Sequence, residues 1–408
     1  MIEINWKKYN LSEICNLSYG KTLPKNAFTP SGYEVWGANG VIGFFNKFSH
    51  EYSRVLVSSR GENSGKINIS SPKSYITNNS IVCEPKITLS EKFLFYFLSC
   101  IPRQKMVSGS AQPQVVINDL KNIPIFLPGN ISEQFKIAEI LSTVDQAIED
   151  TEAFIAKNQR IKTGFMQDLL IRGIDEKGNI RSEETHEFKD SPLGRIPVGW
   201  ICKTIDELAV HVGSGVTPTG GESVYSKEGV LFIRSQNVHF NGLIMNDIAF
   251  INDDIHKKMI RSEVFENDIL LNITGASIGR CCVMPEWNGK ANVNQHVCAI
   301  RLSESSKSKS YFLKIVLESY IGQQQIKQLN AGGNREGLNY QQVRSFLIPW
   351  PNLSSEFDRI TSVIEETAFV IENYKESKEK LISLKKGLMQ DLLTGKVHVT
   401  PLLDKQEG

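Results

Sequence analysis

No stretch of this 408-residue chain is apolar over the roughly twenty consecutive residues that a membrane-spanning helix requires; the longest candidate is Phe93 to Ile101. Met1 to Gly20 carry no secretory-signal pattern, so the expected location is cytoplasmic, away from membranes. The seven cysteines contain no C-x-x-C pair, and an odd number in a long chain fits reduced thiols better than a disulfide framework; the vicinal Cys281 and Cys282 read as packing residues. The seven histidines (His50, His186, His211, His239, His256, His296, His398) are scattered and form no H-E-x-x-H motif, which leaves zinc chemistry and histidine acid-base work without support. Phosphate loops fail on inspection. Gly20-Lys21-Thr22 would need glycine where Cys15 stands, the stretch from Gly61 to Lys66 is a residue short and runs into Ile67, and Pro218 interrupts the G-x-G begun by Gly213 and Gly215. The Asn/Asp-Pro-Pro-aromatic signature of adenine methyltransferases is missing too.

A marked excess of charge is also lacking, since the chain carries a formal net charge of only +1. The charge is unevenly distributed, however. Residues 1–128 hold 14 Lys and Arg against 8 Asp and Glu, residues 200–351 hold 15 against 14, and the two stretches between and after them are each net negative. Positive charge is thus concentrated in the first globular segment, where a nucleic-acid footprint would lie.

What the chain does have is an internal repeat. Residues 132–170 align with 355–393 at a constant offset of 223 without a gap, and 13 of the 39 positions are identical, where chance would give roughly two or three. Met-Gln-Asp-Leu-Leu occurs at 166–170 and again at 389–393. Apolar residues recur in steps of four and three through Ile137, Leu141, Val144, Ile148 and Ile155, then Phe165 and Leu169; the second copy runs through Ile360, Ile364, Thr367, Ile371, Tyr374, Leu381, Leu388 and Leu392. Asn130 or Ser132 caps the first start, Ser354 or Ser355 the second, and Gly173 and Gly395 supply the stops. Each copy therefore reads as one helix about 60 Å long, which needs a partner along much of its length. Thr151, Asn158, Lys162, Lys378 and Lys385 interrupt the seam. Two arrangements remain open: the helices packed on each other, or each on its own domain.

The segments before the helices are rich in short β-type runs, at Arg54 to Ser58, Ile81 to Cys83, Val230 to Ile233, Ile269 to Ile273 and Val297 to Leu302, with short helices at Glu91 to Ser99 and Ser310 to Asn330. Ile174 to Gly199 is charged and turn-rich, a connector. The expected organisation is a domain at 1–128, a helix at 129–173, a linker at 174–199, a domain at 200–351, a helix at 352–395 and a tail at 396–408.

The Met-Gln-Asp-Leu-Leu-Thr-Gly-Lys run at 389–396, its counterpart at 166–173 and the Pro-Leu-Gly-Arg-Ile-Pro-Val-Gly-Trp stretch at 192–200 resemble the specificity subunits of Type I restriction-modification systems. Also similar are Arg60-Gly61-x-x-x-Gly65 and Thr274-Gly275-x-x-x-Gly279, each followed by an Asn-rich turn at 77–80 and 292–295. Residues 1–10 depart from the pattern by lacking the Gly-x-Ile-Pro-x-Gly-Trp opening, and the helix starts at 130–134 and 353–357 match only loosely. The resemblance implies an α+β protein with two globular α/β target-recognition domains, separated by two long antiparallel coiled-coil helices in a pseudo-twofold repeat. Each domain would read one half of a bipartite, asymmetric site on double-stranded DNA. Two modification (methyltransferase) subunits would dock on the helices and carry the S-adenosylmethionine, restriction (motor-nuclease) subunits would join them, and this chain would hold no cofactor and no catalytic centre. A methyltransferase-only system, an enzyme and a non-enzymatic coiled-coil scaffold are the alternatives.

Candidate DNA-reading residues follow from side-chain type: Arg for guanine or phosphate, Asn and Gln for adenine, on polar loops. In the first domain they are Lys21, Thr22, Arg60, Asn63, Lys66, Asn78, Asn79, Gln112 and Gln114; in the second, Thr217, Arg234, Gln236, Asn237, Arg280, Asn294, Gln295, Asn334 and Arg335. Any one of them can instead be a turn residue bonded to its own backbone. Candidates for helix pairing or partner docking are Ile137, Leu141, Ile148, Met166, Leu169 and Leu170 with Ile360, Ile364, Ile371, Met389, Leu392 and Leu393.

Overall fold

The computed structural model describes residues 6–108, 113–330 and 337–403. The chain divides into two compact units, one comprising Met1–Phe154 with Tyr374–Gly408 and the other Ile155–Asn373, so both divisions fall inside long helices.

The two units are built on one plan. In the first, the antiparallel strands Cys15–Tyr19, Ser80–Pro85, Val55–Ser58 and Ile67–Ile69 form a four-stranded sheet in that order; in the second the same positions are held by Ala209–Ser214, Val297–Leu302, Ile269–Asn272 and Cys281–Val283. A three-stranded sheet accompanies each, Gly40–Phe45, Tyr33–Gly37 and Tyr75–Ile76 matching Ala249–Ile251, Val230–Ile233 and Ala291–Val293, with one antiparallel and one parallel pairing in both. The runs Val-Leu-Val-Ser and Ile-Leu-Leu-Asn are buried at every position, as expected of central strands covered on both faces. Ser90 caps the helix Glu91–Ser99 by accepting from the Phe93 N–H, and Ser306 caps Lys307–Glu318 by accepting from the Lys309 N–H.

Three features differ from the sequence reading. The stretch 310–330 is two helices, Lys307–Glu318 and Tyr320–Asn330, because Ser319 turns extended and its hydroxyl accepts from the Ile321 N–H while donating to the Val316 carbonyl. The connector contains a hairpin, Phe188–Ser191 with Gly194–Pro197, and sends Ile174 and Ile196 into the core of the second unit. Finally, residues 6–10 form the same opening as 200–204 despite lacking its motif. Trp6 pairs with Pro128 as Trp200 pairs with Pro351.

The repeats at 132–170 and 355–393 lie within helices Ile131–Arg172 and Ser354–Leu392. In the first unit the start of one helix runs antiparallel to the end of the other: Asp145 pairs with Lys385 at 2.5 Å, Glu152 with Lys378 at 3.5 Å, and the Phe154 and Tyr374 rings stack 4.1 Å apart. Lys378 and Lys385, which interrupt the apolar pattern, are thus ion-paired, and Lys162 reaches Glu318 at 3.2 Å in the second unit.

The far end of each helix is buried in the domain core of the other half of the chain. Met166, Leu169 and Leu170 join Trp200, Phe312 and Phe357 in the second unit, with Ile360 and Ile364 beside them, while Leu392 and Leu393 join Phe93, Leu120, Ile137 and Leu141 in the first, with Met389 against them. Ile371 is buried and Ile148 half-buried. The repeated Met-Gln-Asp-Leu-Leu run therefore seats a helix in its own chain, and its buried leucines are not a docking face for another subunit. This is neither packing on the helix's own domain nor helix pairing alone. A 42-residue helix outruns the domain it leaves, and its terminal apolar face needs a second core. Gly173 (φ +64°) and Gly395 (φ +69°) stop the helices against tryptophans: a Cβ at Gly173 would stand 2.6 Å from the Trp200 ring and one at Gly395 3.2 Å from Trp6. Beside Gly173 the buried Glu356 carboxylate accepts from the Ile174 N–H at 3.1 Å and pairs with Arg181.

Truncating Leu170, which is fully buried, to alanine is expected to cost about 2–5 kcal/mol. Because Leu170 lies in the second core although its helix leaves the first domain, limited proteolysis of Leu170→Ala should open sites within 200–351 first, and Leu393→Ala should do the same within 6–128.

Candidate nucleic-acid interface

Antiparallel pairing brings the ends of alternate strands to one edge of each four-stranded sheet, and the loops there carry most of the polar residues singled out above. In the first unit the edge is made by the end of Cys15–Tyr19, the start of Ser80–Pro85 and the end of Val55–Ser58. Backbone bonds tie these loops together: Gly20 N–H to Ser80 O (3.1 Å), Lys21 N–H to Ile76 O (2.9 Å), Ser59 N–H to Asn79 O (2.9 Å) and Val115 N–H to Ser59 O (2.9 Å). Glycine at 20 is required, since a Cβ would come within 2.5 Å of the Ile76 carbonyl oxygen. Arg60 is bridged to Gln114.

The result is a surface on which Lys21, Thr22, Arg60, Asn63, Lys66, Asn79 and Gln114 are exposed and Asn78 is half-buried. Lys21, Arg60 and Lys66 have no acidic partner among the described residues, so their charge faces solvent unneutralised. Such an edge can attract and hold a polyanion through Lys and Arg while Asn and Gln offer paired donors and acceptors to base edges.

The equivalent edge in the second unit is more polar and less charged. Gly215 N–H donates to Asn294 O (3.1 Å), Asn294 N–H to Ile233 O (3.0 Å), Ile273 N–H to His296 O (3.0 Å) and Leu338 N–H to Ile273 O (2.7 Å). Thr274, bridged to Gly337, takes the place of Arg60, and Arg280 that of Lys66, so the two arginines singled out in the sequence are not counterparts. A chain of side chains crosses the edge: the Thr217 hydroxyl donates to Gln295 Oε1, Gln295 Nε2 stands 3.0 Å from His296 Nε2, and His296 Nδ1 lies 2.5 Å from the Thr274 hydroxyl. Tyr340 and Ser214 share a 2.6 Å hydroxyl contact nearby. Thr274, His296 and Tyr340 escaped the sequence reading as site residues; Thr274 stood in the glycine motif and His296 beside Gln295, but Tyr340 reaches Ser214 across 126 residues of sequence.

Two candidates are corrected by their surroundings. Asn237 is 1% exposed, its Oδ1 accepting from the Arg234 N–H and its amide donating to Ile244 O, and Asn294 is 6% exposed with its Oδ1 taken by the His296 N–H. Both shape the loops from within. Arg234 and Gln236 converge on Asp247, at 3.3 and 2.6 Å, so the Arg234 charge is locally balanced. Gln112, Asn334 and Arg335 lie outside the described residues. Among the described residues no cluster of three or more His, Cys, Asp or Glu side chains is arranged to hold a metal ion.

Comparison with known proteins agrees with this duplicated plan. The family described as Type I restriction modification DNA specificity domain matches residues 3–162 and 197–381, and the chain belongs to that family. The Type I restriction enzyme MjaVIII specificity subunit of Methanocaldococcus jannaschii is 26% identical over 351 residues, covering 84% of this chain and 78% of that protein. The EcoBI specificity subunit of Escherichia coli is 25% identical over 304 residues, 71% of this chain and 62% of its own. In fold, the chain is similar to the S subunit of a Type I restriction-modification system from M. genitalium, with a TM-score of 0.65 at 18% identity over 96% of this chain and 97% of that one.

The burial pattern separates two kinds of asparagine and glutamine. Asn237→Ala should lower stability in chemical denaturation by about 1–3 kcal/mol, because it strips buried backbone groups of their partner. Gln295→Ala, at an exposed position, should stay within about 0.5 kcal/mol of the parent.

Proposed function

We propose that this chain is the DNA-reading subunit of a Type I restriction-modification complex, with each of its two domains reading one half of a bipartite, asymmetric site. The observation that carries this is the pair of sheet edges. The same strand order and the same tied loops occur in both units, yet the side chains they carry differ, with exposed Arg60 and Lys66 on one edge and exposed Gln295 with half-buried Thr274 and Arg280 on the other. One scaffold presenting two chemistries suits two different half-sites. Lys21 and Lys66 supply phosphate affinity, Arg60 serves guanine or phosphate, and Gln114, Asn79 and Gln295 offer donors and acceptors to base edges.

The remaining roles fall to partners. Modification subunits carry S-adenosylmethionine and methylate adenine, restriction subunits cut unmodified DNA, and this chain performs no chemistry. The long helices act as an antiparallel coiled-coil frame with pseudo-twofold character that docks the modification subunits and sets the spacer between half-sites. Their exposed faces, not the buried Met-Gln-Asp-Leu-Leu ends, are available for docking. The assembly works in the cytoplasm.

Replacing residues 6–128 with the first domain of a relative should change one half of the methylated motif, read by methylation sequencing of host DNA, and leave the other half intact. Arg60→Ala and Arg280→Ala should each weaken binding by about 1–3 kcal/mol at one base position if they read a base. If they touch phosphate, they should weaken all sequences alike and lower the salt slope by about 1.

The frame has a geometric test. Seven residues added between Phe154 and Ile155 and seven between Asn373 and Tyr374 leave both cores untouched and extend the helices by about 10 Å, roughly three base pairs of B-DNA. The methylated motif should keep its bases and gain about three in its spacer. An active variant with the original spacer would show that the helices do not set the distance.

A further inference from the structure

The two units differ at one place where the shared plan would make them alike. In the second unit the helix Tyr320–Asn330 lies across the domain base: Gln325 Nε2 donates to Leu347 O at 3.0 Å, Leu347 N–H donates to Gln325 Oε1 at 2.8 Å, and Gln342 Nε2 donates to Leu329 O at 3.0 Å. Ile326 is buried in the core there, with Ile321 and Leu329 packed against it. Just before this helix, Glu318 pairs with Lys162.

At the constant offset of 223, the positions corresponding to Lys162, Gln342 and Leu347 are Lys385, Asp119 and Pro124. In the first unit all three line an open groove of about 1010 Å³, whose floor and walls are largely apolar through Phe97, Ile101, Phe126, Ile382 and Met389. The stretch that follows Glu91–Ser99 supplies only the short turn Arg103–Lys105 where the second unit has an eleven-residue helix. Phe126 and Ile382 are each 42% exposed as a result. The acid is missing as well: no carboxylate follows Ser99 as Glu318 precedes Tyr320, Lys385 turns to Asp145, and Lys105 and Lys386 on the rim have no acidic partner among the described residues.

We infer that this groove of the first unit is a docking site for an amphipathic α-helix of a second protein chain, one that carries a carboxylate at its N-terminal end to meet the rim lysines. The occupant's chemistry is read from the helix that fills the corresponding place in the second unit: apolar residues five and three apart, as Ile321, Ile326 and Leu329 are, facing inward, an amide side chain donating to the strand carbonyl at Pro124, which unlike Leu347 has no N–H to return a bond, and an acid just ahead of the first turn. Because the second unit fills its own site, the described residues offer one such groove, not two. The inference goes beyond the DNA-reading function and does not depend on it.

The test uses the full chain and a synthetic peptide of residues 318–330 as the probe. Labelled peptide should bind with saturation at one per chain in fluorescence anisotropy, and should slow alkylation of the exposed, groove-lining Cys100, followed by mass spectrometry. Phe126→Glu and Ile382→Glu, at half-exposed sites, should fold as the parent does by circular dichroism and lower peptide affinity at least about tenfold, and a peptide with Glu318→Lys should also bind more weakly. Absence of saturable binding, or binding that both groove variants leave unchanged, would overturn the proposal. DNA binding and the methylated motif, measured on the same variants, report separately on the recognition function.

Discussion

The structure depends on the burial of each long helix's last turns in a core that the other half of the chain builds. Leu169 and Leu170 are all but inaccessible in the second unit, and Leu392 and Leu393 nearly so in the first. At the free-energy scale of apolar burial, about 1.5–3 kcal/mol per side chain, a few such residues make each core incomplete without the distant helix. The first unit is therefore not a contiguous stretch of sequence, and the second, Ile155–Asn373, begins inside the helix that leaves the first domain. The glycine stops against Trp6 and Trp200 fix where each helix ends, and the buried Glu356–Arg181 pair ties the start of the second helix to the connector that follows the first.

This arrangement leaves the sheet edges free to vary. The strands that build them are held by apolar residues far from the loops, and the loops are tied by backbone bonds that do not depend on which side chain is present. Arg60 can become Thr274, and Lys66 Arg280, without a change of strand order. A recognition surface whose chemistry is independent of its support can diverge between the two halves of one chain while the helices stay alike.

Much of this was legible in the sequence. Heptad-like spacing, polar cap candidates at Asn130 or Ser132 and at Ser354 or Ser355, and glycine stops placed both helices to within a few residues, because these signals are local and repeated. The uninterrupted runs Val230–Ile233 and Val297–Leu302 gave their strands to the residue for the same reason. Local propensity was blind at Ser319, where a single extended residue splits one apparent helix, and at residues 6–10, where a tryptophan alone carries the opening that a full motif marks at 192–200. Among the site residues, exposed polar side chains on glycine-bearing loops could be picked out by type, but Asn237 and Asn294 look no different in sequence from Asn79.

The sequence by itself determined that there are two long helices, two diverged domains and a polar, partly basic set of loops, since periodicity, repetition and composition are properties of neighbouring residues. Only the tertiary structure decided which core each helix end enters, which loop residues share an edge, and which asparagines are spent inside it. Those outcomes depend on contacts such as Glu356 with Ile174 and Tyr340 with Ser214, between residues more than a hundred positions apart. No local pattern encodes such pairings; the closing of the cores selects them.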